Sequence, residues 1–125
     1  MREKLPQRRA SVHVEFIHHN SLRKAFNYTA TLSYYDGANG ERGTGRLGEV
    51  FLEAAKIGTD LDIAVSDSAV AVSLALQHGC ELETLRDAFL KNSEGNAEGV
   101  LGTLFELLDA DGRPKPGINR SVATD

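Results

Sequence analysis

The stretch from Thr59 to Gly79, TDLDIAVSDSAVAVSLALQHG, constrains the fold more than any other part of the chain. At 3.6 residues per turn it is long enough for a helix of about five turns. Leu61, Val65, Ala69, Val72 and Leu76 follow one helical stripe, and Ile63, Val70 and Leu74 form a second stripe beside it. Small residues at 64, 69, 71 and 75 let other elements approach closely. The spacing therefore predicts a central helix covered on more than one side. Thr59 suits the N-cap, Asp60 and Asp62 suit the positive end of the helix dipole, and Gly79 suits the left-handed residue past its C-terminus.

A helix of this kind needs a surface to cover, and the preceding residues supply one. Val12, Val14 and Phe16 alternate with polar neighbours. So do Phe26, Tyr28, Ala30, Leu32 and Tyr34, and after them Val50 and Leu52. Period-two alternation marks half-buried strands. The segment 18–21 reads as a turn, and 36–45, DGANGERGTG, reads as a longer, mobile hairpin loop. After Gly79, Leu82, Leu85 and Phe89 predict a helix over 81–91, and Val100, Leu101, Leu104, Phe105 and Leu108 predict another over 97–109. The fold class expected is α+β: a three-stranded antiparallel meander covered on one face by a long central helix and two shorter ones, in the order β-β-β-α-α-α. The organisation expected is a basic N-terminal arm over 1–11, a domain over 12–110, and a flexible, Pro/Gly-rich tail over 111–125.

Length and composition fit one soluble domain, with 125 residues, 41% hydrophobic and 26% charged. A net charge of −4 gives no global attraction to nucleic acid or an anionic membrane. The best apolar run is interrupted by Asp60, Asp62 and Asp67, and the basic N-terminus lacks an apolar signal core, so the expected compartment is the cytoplasm. A single cysteine, Cys80, excludes an intramolecular disulfide.

Several short patterns have chemical associations. Gly43-Thr-Gly-Arg-Leu-Gly48 fits a dinucleotide-binding fingerprint, but it leads into a strand and lacks the helix N-terminus that holds a pyrophosphate. Asp109-Ala-Asp-Gly112 resembles the start of a calcium loop, but the twelfth position is Arg120 rather than Glu. His13, His18 and His19 are expected to be solvated, and His78 to sit at a helix C-terminus. No metal and no cofactor is expected. Cys80 is a candidate reactive thiol, although the adjacent Glu81 and Glu83 oppose a low-pKa thiolate. The spacing from Leu74 through Gly79 to Ala88 matches a helix-turn-helix, but Glu81, Glu83 and Asp87 would repel phosphates.

Three segments together resemble the TSCPD domain: RxKLPxRRAS at 2–11, GRLGEVFLEAAKIG at 45–58, and SDSAVAVSLALQHGCELETLRDAFLKN at 66–92. That domain is found at the C-terminus of vitamin B12-dependent (class II) ribonucleotide reductases and as stand-alone bacterial and phage proteins. The Thr-Ser-Cys-Pro-Asp motif that names it is absent here, so a metal or redox role tied to that motif does not carry over. The resemblance implies an accessory binding domain linked to ribonucleotide reduction, without catalysis of its own, and a protein partner that is itself such a reductase. Leu5, Pro6, Arg8 and Arg9 are then the expected partner-binding residues. Two alternatives stay open: a helix-turn-helix DNA-binding regulator, and a thiol protein acting through Cys80. Ile17, Tyr35 and Phe51 share the parity of the polar strand positions, so a homodimer is expected to form through that sheet face or the first strand.

Overall fold

The computed structural model describes residues 2–5, 10–19, 23–54 and 60–124. Three strands, β1 (Ala10–His19), β2 (Ala25–Tyr34) and β3 (Leu47–Ala54), precede three helices, α1 (Asp60–Gln77), α2 (Leu82–Ala88) and α3 (Val100–Glu106). A fourth strand, β4 (Arg120–Thr124), follows them. The sheet is antiparallel in the order β3-β2-β1-β4. The expected three-stranded meander is therefore corrected to four strands, and the fourth comes from residues expected to be a flexible tail. Ser121 and Arg120 pair with His13 and Val14, an edge that nothing in the local pattern of RSVAT reveals.

The alternation read in the sequence places the core. Val14, Phe16, Tyr28, Ala30, Leu32, Val50 and Leu52 all point to one face and are buried there. Ala69, Val72 and Leu76 of α1 and Val100, Leu101, Leu104 and Phe105 of α3 close that face. Leu82, Leu85 and Phe89 pack against it only partly, and α2 itself contributes no buried residue. Phe89 meets Phe105 edge to face, with centroids 5.0 Å apart, which holds the α2 end against α3.

Helix α1 ends as its sequence predicts. Gly79 has φ of +96°, the Gly79 N–H donates to Leu76 O, and the Cys80 N–H donates to Ala75 O. Those two bonds make a Schellman cap, a conformation that glycine adopts without strain. Thr59, the expected N-cap, lies outside the described residues. The expectation of cover on several sides of α1 is corrected, since Ile63, Val70 and Leu74 are exposed. The cause is polar. The Ser73 hydroxyl accepts from the Val50 N–H at 2.8 Å and donates to Val50 O at 3.0 Å, and the Gln77 side-chain amide donates to Gly48 O at 2.9 Å. These bonds fix the roll of α1 along the free edge of β3 and leave the second apolar stripe facing out.

The loop 36–45 is tied down at its base. Asp36 accepts from the Gly43 N–H, and the Arg113 guanidinium donates to Gly43 O and Gly45 O, both at 2.9 Å. Arg113 also lies over the Tyr34 ring, 3.7 Å from its centroid, while the Tyr34 hydroxyl donates to Gly112 O. Burial pushes the Tyr34 hydroxyl up to about 12, against the lowering effect of Arg113.

Candidate functional site

Four places bring together the residues that the sequence singles out. The first is the N-terminal segment, of which residues 2–5 are described. These residues lie on the domain: the Glu3 N–H donates to Gln77 O at 2.8 Å, and the Arg46 guanidinium pairs with the Glu3 carboxylate at 2.7 Å. The Arg2 guanidinium donates to the Gln77 side chain. Leu5 packs over Gly48, where an added Cβ would stand 2.9 Å from its Cδ2. Leu5 is thus partly engaged within the chain, and Pro6, Arg8 and Arg9 lie outside the described residues.

The second place is the open face of the sheet. Ile17 and Phe51 are half exposed there, as their parity predicts. Across the strands, Phe51 stands opposite Thr31 and Thr31 opposite His13, a mixed row of aromatic, hydroxyl and imidazole groups. Tyr35 does not belong to this face. The β2–β3 register shifts between Ser33 and Tyr34, and Tyr35 turns inward to 6% exposure. Its hydroxyl donates to Glu3 O, and Arg46 lies over its ring, 4.2 Å from the centroid. Burial raises the Tyr35 hydroxyl above its usual range.

The third place holds Cys80. It is half-buried at the mouth of a cavity of about 670 Å³ between the α1–α2 turn and the 44–47 strand entry, with Arg46 and Arg113 in the wall. Its thiol is turned toward Glu81 O at 3.8 Å. At and within α2 the would-be DNA-reading surface exposes the N-cap residue Glu81 together with Glu83 and Asp87. Arg86, the cation that could offset them, is turned inward. It pairs with Glu83 and donates to Leu108 O at 3.0 Å and Asp109 O at 3.1 Å, capping the carbonyl end of α3.

The fourth place was not anticipated. His18, expected in solvent, is 6% exposed and lines a cavity of about 1000 Å³ with Tyr28, Val65, Val72, Phe89 and Leu101. Its Nδ1 lies 2.8 Å from Thr103 Oγ1, whose single proton is directed to Gly99 O at 2.9 Å. The imidazole is therefore the donor in that bond, protonated on Nδ1. Burial, reinforced by the neighbouring His19, lowers its pKa. The signal for this was the strand parity itself, since His18 shares the inward phase of Val14 and Phe16. His19 points the other way into solvent. Among the described residues no three His, Cys, Asp or Glu side chains are grouped to hold a metal ion, and no helix is long and apolar enough to cross a membrane.

Against known proteins, the chain is 33% identical over 90 residues, 70% of its length, to the vitamin B12-dependent ribonucleotide reductase of Agrobacterium fabrum. It is 46% identical over 50 residues, 40% of its length, to the enzyme of the same description from Bradyrhizobium diazoefficiens. The chain is similar to one small part of a large reductase. It spans 6% and 4% of these two relatives. No family model matches the chain. No solved structure matches it either.

Proposed function

We propose that this chain is a TSCPD-like binding domain that serves ribonucleotide reduction by contacting a vitamin B12-dependent reductase, and that it performs no chemistry of its own. The observation that carries this reading is the 90-residue match to the Agrobacterium fabrum reductase, which covers 70% of the chain but only 6% of the enzyme. A segment of that size is one module of the larger protein, too short to contain a radical-generating core. The anionic outer surface of α2 favours a protein partner over DNA. The surface we assign to the partner is the open sheet face around Phe51 and Ile17, because half-exposed apolar groups among hydroxyls and carboxylates suit a moderately polar protein contact.

The test is direct binding of the purified chain to the B12-dependent reductase of its own cell, by calorimetry, with deoxyribonucleotide formation followed in parallel. Binding is expected, and Phe51→Glu should weaken it by at least ~10-fold, since a charge replaces a buried aromatic contact. Absence of heat and of any change in turnover at saturating chain would overturn the reading.

A further inference from the structure

The outward face of α1 reads as half of a helix pair. Ala64, Asp67, Ala71, Leu74 and His78 succeed one another at spacings of three and four residues, and all five are exposed. That is the a/d periodicity of a coiled-coil seam, and it continues past Gln77 because the His78 N–H still donates to Leu74 O. Ile63 and Val70 flank the seam at 59% and 55% exposure, and Leu74 within it is 39% exposed. From Ile63 to Gln77, Asp67 is the sole charged residue. Ile63, Val70 and Leu74 thus leave an apolar stripe exposed on the side of α1 away from the core, and an exposed apolar stripe marks a contact surface.

We infer that this seam pairs with the same seam of a second copy, in antiparallel orientation, about a two-fold axis midway between Val72 and Ser73. The seam is complementary to itself in that register. Turning the helix about that point sets Leu74 against Ala71 of the second copy, a large side chain over a small one, twice by symmetry. It also sets Asp67 against His78, again twice, so that each desolvated carboxylate meets an imidazole. The opposed helix dipoles attract in the same arrangement. A foreign apolar helix would leave Asp67 desolvated without a partner, which costs rather than gains affinity. The dimer thus uses α1 and not the sheet, and leaves the open sheet face free.

The seam from Ala64 to His78 is about 21 Å long at 1.5 Å per residue, so the contact is at the small end of specific interfaces and the association is weak. Sedimentation equilibrium of the full chain alone, from ~5 to ~200 µM, covers the range in which such a contact forms. A weight-average mass rising toward twice the monomer is expected. Leu74→Glu and His78→Asp should each weaken the dimer by ~10-fold or more, and Asp67→Lys combined with His78→Asp should return it to within ~3-fold of the natural chain. The substituted side chains are all exposed, and the charge exchange restores the contact only if the register is right. A monomer at every concentration would overturn the inference, as would a dimer indifferent to Leu74→Glu or abolished by Phe51→Glu. No reductase is present in this experiment, so its outcome is separate from that of the binding test above.

Discussion

Tyr34 shows how much one side chain can organise. It is buried, its hydroxyl donates to Gly112 O, and its ring carries the Arg113 guanidinium that grips the 43–45 loop. Tyr34→Phe leaves the Gly112 carbonyl without its donor, and should lower unfolding free energy by about 1–3 kcal/mol in urea titrations. The same residue has a signature in pH. Its folded value is raised from 10.0 to about 12, so its contribution is fully present below pH 10.0 and is lost as pH rises through about 12. The natural chain should therefore lose stability over that alkaline window, and Tyr34→Phe should lack that part of the slope. Tyr34 was legible as a core position from its alternation. Its hydroxyl partner was not, because Gly112 lies 78 residues away and in a stretch with no periodicity.

Among elements, the contact between α1 and β3 decides what each can do. A free strand edge invites uncontrolled pairing, and α1 blunts this one with Ser73 and Gln77 rather than with charge. Ser73→Ala removes both partners of Val50 at once, leaving a buried N–H and C=O unpaired. A loss of about 1–3 kcal/mol is expected, measured by the urea midpoint, together with faster amide exchange at Val50. An unchanged midpoint and unchanged exchange would show that water replaces the hydroxyl there. The sequence held a hint of this contact, since Ser73 and Gln77 are polar residues spaced i, i+4 beside an apolar stripe. Their acceptors on β3 depend on how the helix is rolled, which only packing determines.

At the scale of the whole molecule, residues 2–5 and β4 are both bound onto one core. Residues 2–5 dock beside Tyr35 and Gln77, while β4 covers the outer edge of β1. Removing residues 111–125 would take away the Gly112 acceptor, Arg113 and β4 together. The truncated chain should lose at least about 2–3 kcal/mol and, with the β1 edge opened, should aggregate on concentration, as light scattering would reveal. A truncated chain with the natural urea midpoint would show that β4 is dispensable. The similarity to the B12-dependent reductase of Agrobacterium fabrum extends over 70% of the chain.

What the sequence determined by itself were the properties set by neighbours along the chain. Period-two alternation gave three strands and the phase of each, and 3.6-residue spacing located the helices. Gly79 marked the end of α1, because a left-handed residue there is a local requirement. The tertiary structure alone decided everything that joins distant residues. It turned 120–124 into a strand because β1 offered an unpaired edge, set the His18 imidazole against Thr103, and buried Tyr35 through a register shift. It also rolled α1 so that Val70 and Leu74 face outward. Periodicity can say that two stripes of a helix are apolar, but the hydrogen bonds of Ser73 and Gln77 choose which stripe the sheet receives.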